Sequence, residues 1–379
     1  MDETLRHRRV WRLLWRPADL LVRRKFNMTH EDLHVEGPVL LVPNHVSAWD
    51  PLLVAASLRE KQVYFVASEH LFRLGFVSRV IRWLVAPIPR RKASSGADTV
   101  KACLRHLRAG HSVCLFAEGE QSWTGRNIPV FPATGKLARS SGATLVTYRL
   151  EGAYLSLPRW GKGVRRGRVY GHPVGIYPPE HLKTMTPEEI NALINRDIAE
   201  DAWERQRLGP VSYRGKKRAE GMERALYLCP RCRRIGTLRT RGSRIFCGCG
   251  LDLEYTGTGF FRPAQPFATL AEWDDWQRRA LRERAFPHSG ADAPLFSDEN
   301  VRLVRLSSGH GEEPLGSGPL LQYEDRLECA GVRFPVEGIR SMAMVLTGRL
   351  LLTGDDAYYE IRSDGANLRK YLEFWKEQT

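Results

Sequence analysis

The chain lacks long hydrophobic runs: nowhere in its 379 residues do about 18 apolar residues follow one another, the least that a membrane-spanning helix needs. The N-terminal region also lacks an uninterrupted apolar stretch followed by a small-residue cleavage site, so no secretory signal is expected. Cysteine is scarce, with seven residues in all, which excludes the dense disulfide framework of small secreted domains. We therefore expect a protein of a reducing compartment without a transmembrane helix.

Acidic residues are also fewer than basic residues. The chain has 58 Lys and Arg residues against 43 Asp and Glu residues, which gives a formal net charge of +15. The excess is uneven, because residues 201–250 sum to about +9 and residues 251–379 to about −6. A basic region of this kind suits a lipid surface, a phosphorylated substrate or nucleic acid, and charge alone does not decide among them. The hydrophobic content of 42% indicates a globular chain of two or three domains.

Two segments combine apolar bulk, tryptophan and arginine, as helices at a membrane interface do. The first covers residues 10–25, within a basic N-terminal segment (residues 1–29), and the second covers residues 71–85. Either segment could lie on an anionic membrane surface, and either could be an ordinary amphipathic helix packed on a core. The first alternative predicts a cytoplasmic protein that is peripheral on the inner face of the membrane.

Strand-like and helix-like stretches alternate over the first 200 residues. Apolar runs bounded by turn residues predict strands at residues 38–42, 63–67, 112–116 and 144–150, and helical periodicity predicts a helix at residues 98–108. Such alternation predicts an α/β fold with a parallel or mixed sheet covered by helices. No internal repeat is visible in the sequence.

A histidine and an aspartate follow the first of these strands. His45 lies in the turn before a helix whose start is predicted at Asp50-Pro51, with aspartate as the N-cap and proline at the first helical position. Histidine exchanges a proton near neutral pH, and a neighbouring carboxylate can fix its tautomer and stabilise its charged form. His45 and Asp50 are therefore a candidate catalytic base and its orienting partner, although Asp50 could instead only cap the helix.

More polar residues follow the predicted strand at 112–116, where Glu118, Gly119 and Ser122 occur. Because ligands of α/β sheets gather at the carboxyl ends of the strands, this segment and the His45 turn are expected at the same edge. Between them in the sequence, Arg90 and Arg91 provide clustered cations that are suited to holding a phosphate.

Taken in order, these residues resemble the glycerolipid acyltransferases related to lysophosphatidic acid acyltransferase. The first motif of that family is Asn-His-x4-Asp, matched here by Asn44, His45 and Asp50. The arginine of the second motif is best matched by Arg90 or Arg91, and the third motif, Phe-Pro-Glu-Gly-Thr-Arg-Ser, is matched by Phe116, Glu118, Gly119 and Ser122. The resemblance covers residues 30–205 and implies that His45 and Asp50 are catalytic and that the substrates are bound by Asn44, Arg90, Arg91, Glu118, Gly119 and Ser122.

The resemblance also implies a reaction. His45 removes the proton of an acceptor hydroxyl, and the resulting oxygen attacks the thioester of acyl-CoA or of an acyl-carrier protein. The expected acceptor is a lysophospholipid similar to 1-acylglycerol-3-phosphate, and the expected process is phospholipid biosynthesis. Neither a metal nor an acyl-enzyme is needed for this transfer.

Four positions depart from the family pattern: the usual proline, threonine and arginine of the third motif and the proline of a fourth motif are replaced by Ala117, Glu120, Gln121 and Thr147. The exchange at Gln121 removes a cation that is well suited to a phosphate. Arg126, Arg90 or Arg91 could substitute for it. Alternatively, the acceptor is not a simple phosphate monoester.

Four cysteines form two close pairs in the middle of the chain: Cys229 and Cys232 are followed by Cys247 and Cys249. Two such pairs can place four thiolates around a zinc ion, and the intervening residues 235–239 and 243–246 predict the short hairpin of a zinc ribbon. Disulfides are the alternative, which the absence of an export signal disfavours. The remaining cysteines are expected to be buried and not catalytic: Cys103, Cys114 and Cys329.

The last part of the chain predicts a β-rich domain. Strand-like runs occur at residues 301–306, 319–323, 332–336, 348–352 and 357–361, followed by an amphipathic helix at residues 367–376. Several strands closed by one helix resemble a pleckstrin-homology-like barrel, by pattern alone. The predicted organisation is a basic helix (1–29), an acyltransferase domain (30–205), a basic linker (206–225), a zinc ribbon (226–257), a helical connector (258–293) and the β-rich domain (294–379).

Two functions of other classes stay open at this point. The arginines around the cysteines could serve nucleic-acid binding, because zinc ribbons often contact nucleic acid, although a lipid head group explains the same charge and fits the neighbouring domain better. The altered third motif and the extra domains would also suit a non-catalytic lipid-binding or scaffold protein.

Overall fold

Three β-sheets organise the part of the chain that the computed structural model describes, which is residues 3–59, 61–73, 75–90, 96–287, 293–307, 311–354 and 357–378. The first sheet has seven strands in the order β1-β7-β6-β2-β5-β3-β4. All neighbouring strands are parallel except β6 and β7, so the sheet is mixed, as the alternation of elements predicts. Its strands are β1 (Met28–His30), β2 (Val39–Pro43), β3 (Val63–Ser68), β4 (Ile88–Arg90), β5 (Ser112–Cys114), β6 (Thr144–Glu151) and β7 (Val169–Tyr177).

The central strand of this sheet, β2, is fully apolar. Every residue of β2 is buried, as expected for a strand with helices on both faces of its sheet. Strands β1 and β7 are not predicted from the sequence, because β1 has only three residues and β7 carries polar residues and glycines. Strand β5 ends at Cys114, two residues before the predicted end, and the chain then turns into the segment that carries Glu118.

Helices cover both faces of the sheet: α1 (Glu3–Phe26), α2 (Asp50–Ala56), α3 (Phe76–Val85), α4 (Ala97–Arg108), α5 (Ala133–Ser141), α6 (Ala153–Ser156), α7 (Pro179–Lys183), α8 (Pro187–Asp197) and α9 (Ala202–Leu208). Helix α1 continues through Pro17. Trp11 and Trp15 on one of its faces donate hydrogen bonds to the carbonyl oxygens of Leu58 and Ala56, which fastens α1 beside α2. The predicted helical segment at 71–85 is interrupted, because a 3-10 helix (Glu69–Arg73) precedes Gly75, whose φ is +60°.

The second sheet is antiparallel and has the strand order β11-β10-β9-β8. It consists of β8 (Leu238–Arg241), β9 (Arg244–Cys247), β10 (Asp252–Tyr255) and β11 (Phe261–Arg262), and helix α10 (Leu270–Arg282) follows it. The hairpin predicted between the cysteine pairs is present, and its first strand begins at Leu238, three residues after the predicted start. Helix α10 begins with a capping box formed by Thr269 and Glu272, which explains its sharp start.

The third sheet has seven antiparallel strands in the order β15-β14-β13-β12-β18-β17-β16. Its strands are β12 (Phe296–Leu306), β13 (Glu312–Gln322), β14 (Arg326–Cys329), β15 (Val332–Pro335), β16 (Ser341–Val345), β17 (Arg349–Thr353) and β18 (Tyr358–Arg362), and α11 (Arg369–Lys376) closes the unit. A β-rich C-terminal domain is thus present, with two strands, β14 and β16, that the sequence pattern did not predict. Within the described residues, no helix is both long and apolar enough to cross a bilayer.

One hydrophobic core passes through all three units, from Phe26 of α1 to Phe374 of α11. Polar contacts join the same units: Trp273 of α10 donates to the carbonyl oxygen of Leu228 at 2.9 Å. Arg369 of α11 is buried and donates to the carbonyl oxygen of Ala225 at 2.8 Å. The C-terminal unit is therefore packed firmly against the rest of the chain.

Candidate active site

His45 and Asp50 meet at the carboxyl end of β2. Nδ1 of His45 lies 2.7 Å from Oδ2 of Asp50, and the carboxylate is fully buried. The same carboxylate accepts hydrogen bonds from the backbone N–H groups of Val46 (2.6 Å) and Ser47 (2.9 Å) and from the Ser47 hydroxyl (2.8 Å). Because a carboxylate only accepts, Nδ1 carries the proton and Nε2 keeps a lone pair that can take one.

The prediction that Asp50 is the N-cap of α2 is wrong by one position. Asp50 is the first helical residue and Trp49 is the N-cap, without any capping bond from its side chain. The physical reason is that the Asp50 carboxylate points toward residues 45–47, where it accepts hydrogen bonds from the His45 imidazole and from the Val46 N–H. Asp50 therefore orients His45, and helix capping does not explain its presence.

Glu118 fixes the backbone of His45 from the other motif. Its Oε1 accepts the His45 N–H at 2.7 Å, and its Oε2 accepts the Ile128 N–H at 2.7 Å. Asn127 donates a further bond to Oε1 at 3.0 Å. Burial raises the pKa of Glu118 to about 8, although these donors act in the opposite direction. The two motifs are thus brought together as the sequence predicts. The Glu118 carboxylate holds the backbone of His45 and Ile128, and its contact with a substrate stays a prediction.

Asn44 and Ser122 also differ from the predicted substrate contacts. The fully buried Asn44 amide accepts from the Leu150 N–H at 2.7 Å and donates to the Leu150 carbonyl oxygen at 3.1 Å, which clamps β2 to β6. The buried Ser122 hydroxyl donates to the carbonyl oxygen of Arg126 at 2.6 Å. The Ser122 N–H donates to the His45 carbonyl oxygen at 2.9 Å. Both side chains are used within the protein, so we assign them positioning roles.

Gly119 is required by the turn that carries Glu118. Its φ is +72°, and a Cβ at this position would lie 2.1 Å from the ring of Phe131. Glycine relieves both constraints, because it has no Cβ and adopts positive φ without strain. The predicted substrate contact of Gly119 is therefore better described as a close backbone approach that shapes the loop.

Arg90 ends β4 and is largely buried. Its guanidinium stacks on Phe131, 4.7 Å from the ring centroid, and burial lowers the pKa of Arg90. Its Nε has no hydrogen-bond partner among the described residues. Arg91 lies outside the described residues. Arg126, which the sequence offers as a substitute cation, instead forms ion pairs with Asp201 (3.1 Å) and Asp275 (2.7 Å).

Two cavities flank the catalytic turn. The first is mainly apolar and adjoins Phe116, on whose ring the His45 imidazole stacks at a centroid distance of 4.3 Å. Arg90 and Cys103 also line it. The second cavity begins at Ser47 and Ala48 and includes Gln121 of the third motif. It extends to residues that no local sequence signal connects with the motifs, namely Arg159, Leu346 and Thr347.

The four cysteines of the middle unit converge. The Sγ atoms of Cys229 and Cys249 lie 3.7 Å apart, those of Cys232 and Cys247 lie 3.8 Å apart, and all four lie within 4.8 Å of one another. A tetrahedral ion with metal–sulfur bonds of about 2.3 Å would space its sulfur ligands about 3.8 Å apart. Disulfides would require about 2.05 Å, and all of these thiols are free. The cluster has the geometry of a metal site.

Known proteins share the N-terminal part of the chain. The model of the acyltransferase family matches residues 25–151. The chain is 27% identical over 131 residues to 1-acyl-sn-glycerol-3-phosphate acyltransferase BAT2, chloroplastic, of Brassica napus, which covers 34% of this chain and 37% of the relative. It is 28% identical over 148 residues to 1-acyl-sn-glycerol-3-phosphate acyltransferase LPAT1, chloroplastic, of Arabidopsis thaliana, and this match covers 38% of this chain and 40% of the relative. The matched segments thus span about two fifths of the length of these curated relatives.

Among solved structures, the chain is similar to the 1-acyl-sn-glycerophosphate acyltransferase PlsC from Thermotoga maritima, with a TM-score of 0.42 and 16% identity over 48% of this chain and 76% of that one. The matched residues 25–151 contain His45, Asp50, Arg90 and Glu118, which meet around the carboxyl end of β2 or line the cavity beside it. Residues 25–151 thus match the acyltransferase family, and the curated relatives that share this part of the chain are named as 1-acyl-sn-glycerol-3-phosphate acyltransferases.

Proposed function

We propose that the protein is an O-acyltransferase that moves a fatty acyl group from acyl-CoA or an acyl-carrier protein to a hydroxyl of a lysophospholipid-type acceptor similar to 1-acylglycerol-3-phosphate, in phospholipid biosynthesis. The observation that carries the proposal is the 2.7 Å contact between His45 Nδ1 and the buried Asp50 carboxylate, which leaves Nε2 as a proton acceptor. The family match and the names of the relatives support the same reaction class.

In the proposed reaction, Nε2 of His45 takes the proton of the acceptor hydroxyl as its oxygen attacks the thioester carbonyl carbon. Asp50 stabilises the imidazolium that forms, as the carboxylate of a catalytic triad does. When the tetrahedral intermediate collapses, the carbon–sulfur bond breaks and the imidazolium returns its proton to the leaving thiolate. The products are an ester and a free thiol, and His45 regains its starting state.

The apolar cavity beside Phe116 has a volume of only about 30 Å³, and it is proposed to hold a small part of the donor's acyl group. Its lining includes Val100, Leu115 and Leu137, and it lies behind the ring on which His45 stacks. Arg90 lies in the same lining, with one guanidinium N–H unused by the described residues. A phosphate of the donor could accept a hydrogen bond from this group.

The test is the variant His45→Ala, with release of free thiol from acyl-CoA measured in the presence and absence of a lysolipid. Removal of the general base is expected to lower turnover by about two to four orders of magnitude. His172→Ala is the matched control, since His172 also contacts a carboxylate, that of Glu151 at 3.1 Å, but lies in β7 away from the turn. Turnover by folded His45→Ala at the level of the wild type would contradict the proposal. Acyl-lipid binding by a wild type without any turnover would instead favour a scaffold.

We further propose that the cysteine cluster holds a structural zinc ion through Cys229, Cys232, Cys247 and Cys249 in a zinc ribbon. The spacing of their Sγ atoms fits four thiolates around one tetrahedral ion. Metal analysis of protein purified without chelators is expected to find one zinc per chain. A content below about half an equivalent would count against this site.

Helices α1 and α3 are proposed to contact an anionic membrane surface. Leu13 on α1 is 75% exposed and Phe76 on α3 is 70% exposed, which is unusual for large apolar side chains. Arg8, Arg12 and Arg16, spaced by four residues, lie along grooves beside α1. The protein is expected to sediment with vesicles that contain phosphatidylglycerol, and a smaller fraction of it is expected to sediment with vesicles of pure phosphatidylcholine. Leu13→Asp should reduce binding, whereas an unchanged distribution would contradict the proposed face.

The C-terminal unit is proposed to be pleckstrin-homology-like. The support is its strand order, in which the first and last strands, β12 and β18, are neighbours at the centre of the sheet, together with the closing helix α11. Fold likeness of this kind does not by itself assign a ligand.

A further inference from the structure

The cavity that begins at Ser47 and Ala48 lies between two units of the protein. Gln121 and Arg159 of the acyltransferase domain line it, and so do Leu346 and Thr347 of the C-terminal unit. Leu346 and Thr347 lie in the hairpin tip between β16 and β17. A segment about 300 residues away in sequence therefore forms a wall next to the turn that carries His45.

Arg159 joins the two walls. The side chain is only 3% exposed, and its Nη1 donates to a carboxylate oxygen of Glu120 at 2.9 Å and to the carbonyl oxygen of Gln121 at 3.3 Å. Its Nη2 donates to the carbonyl oxygen of Leu346 at 3.0 Å. One rigid guanidinium thus fixes the distance between the third-motif loop and the hairpin tip.

The hairpin tip is held from a second side and carries an unusual residue. Arg224 donates to the Thr347 hydroxyl at 2.7 Å. Leu346 has a φ of +57°, a conformation that a bulky side chain rarely adopts, and it is 52% exposed. Backbone strain of this kind is typical of residues that clamp ligands. An exposed leucine held in a strained turn, in the lining of a cavity that reaches Ser47 and Ala48, is well placed to contact a substrate.

The electrostatics of the cavity indicate which substrate. The charge of Arg159 is balanced by Glu120, whose side chain is 15% exposed, and the neighbouring position 121 carries an uncharged glutamine. Among the described residues that line the cavity, Arg159 is the one cation, and it is already paired with Glu120. A phosphate monoester with two negative charges would therefore lose water here without gaining a cation of its own. An uncharged glycerol group with an apolar tail would meet the amide of Gln121 and the side chains of Ala48 and Leu346 instead.

We propose that this cavity is the acceptor site, that Leu346 of the C-terminal unit forms its outer wall, and that it selects an acceptor with an uncharged head group over a phosphate monoester. The inference rests on the proposed acyl transfer, but it assigns an acceptor without the phosphate of the lysophospholipid-type acceptor proposed above. It also gives the C-terminal unit a direct part in substrate selection.

The first test is Leu346→Ala, with acyl-CoA held constant and 1-monoacylglycerol varied. Loss of an apolar wall is expected to raise the acceptor KM about five- to tenfold, with kcat and the KM for acyl-CoA changed less than about twofold. Leu208→Ala is the control, because Leu208 is 84% exposed at the end of α9 and outside this cavity. An acceptor KM equal to that of the wild type would overturn the assignment of Leu346.

The second test compares 1-monoacylglycerol with 1-acylglycerol-3-phosphate of the same chain length. The wild type is expected to show at least about a tenfold higher kcat/KM for the uncharged acceptor, and Glu120→Gln, which leaves Arg159 without its counter-charge, should narrow that ratio. A wild-type preference for the phosphate monoester would overturn the inference while leaving acyl transfer intact. Absence of His45-dependent transfer to either acceptor would refute the proposed function itself.

Discussion

Replacement of Asp50 by asparagine tests the proposed catalytic pair most directly. Oδ2 of Asp50 accepts three bonds, from His45 Nδ1 and from the N–H groups of Val46 and Ser47. An asparagine oxygen in the place of Oδ2 faces the same three donors and can accept from His45 Nδ1, and its amide nitrogen then faces the Ser47 hydroxyl, which can accept one bond. Asp50→Asn should therefore keep the fold and the tautomer of His45 and remove only the negative charge.

The magnitude follows from the geometry. A contact of 2.7 Å between Nδ1 and Oδ2 places the two charge centres about 4 Å apart once His45 is protonated, which at an effective dielectric constant of about 20 corresponds to about 4 kcal/mol. This attraction arises only as His45 takes the proton, so its loss raises the barrier of the chemical step. Since about 1.4 kcal/mol corresponds to a factor of ten, kcat should fall by about three orders of magnitude.

The assay is steady-state release of thiol from acyl-CoA with a saturating acceptor, together with thermal unfolding of each variant. Glu151→Gln is the matched control, because it removes the charge of another carboxylate that contacts a histidine, His172, and forms no hydrogen bond with His45 or Asp50. It should retain the turnover of the wild type. If folded Asp50→Asn kept kcat within about threefold of the wild type, the role of Asp50 as the electrostatic partner of His45 would be refuted.

Three further predictions concern stability. Burial raises the pKa of Glu118 to about 8, above its ordinary value of 4.5, so its protonated carboxyl contributes stability that is present below pH 4.5 and lost as the pH rises to about 8. The difference in unfolding free energy between the wild type and Glu118→Gln, measured with urea, should change by at most about 1.4 kcal/mol per pH unit in that window. A difference that stays constant with pH would contradict this prediction. Gly119→Ala should lower the free energy of unfolding by more than about 2 kcal/mol, because its Cβ would lie 2.1 Å from Phe131. Gly110→Ala, also at positive φ but with open space around it, should lower it by about 1 kcal/mol. Equal losses of unfolding free energy in denaturant titrations would argue against the packing at Phe131. Removal of zinc by a chelator, or Cys249→Ser, should lower the midpoint of thermal unfolding by about 5 °C. A ligand at a thousand times its Kd contributes about 4 kcal/mol, and a chain of 379 residues unfolds with an entropy of about 0.8 kcal/mol per kelvin. An unchanged midpoint would show that the cluster holds no structural ion.

The middle unit connects metal binding with the site. Leu228, next to Cys229, accepts a hydrogen bond from Trp273, and Arg369 joins Ala225 to α11. Arg369 also lies 5.1 Å from the ring of Trp123 in the third-motif loop. A proposed zinc ion would therefore stabilise the surface on which the C-terminal unit is held beside the catalytic turn.

The sequence by itself determined the alternation of β2, β3, β5 and β6 with helices, because apolar runs and helical periodicity are local properties of the chain. It also determined the pairing of His45 with Asp50, since five residues across a strand–turn–helix junction keep the two side chains within reach. The cysteine cluster was predictable for the same reason, because each pair is close in sequence and a hairpin brings the pairs together.

Only the tertiary structure decided what the other motif residues do. Asn44, Glu118 and Ser122 are conspicuous in the sequence as substrate ligands, but their polar atoms bind backbone groups of Leu150, His45 and Arg126. Strands β1 and β7 were not predicted, because they become strands by pairing with each other and with β6 and not through their own composition. The wall formed by Leu346 beside the His45 turn depends on packing between units about 300 residues apart, and no local pattern records which buried surfaces will meet.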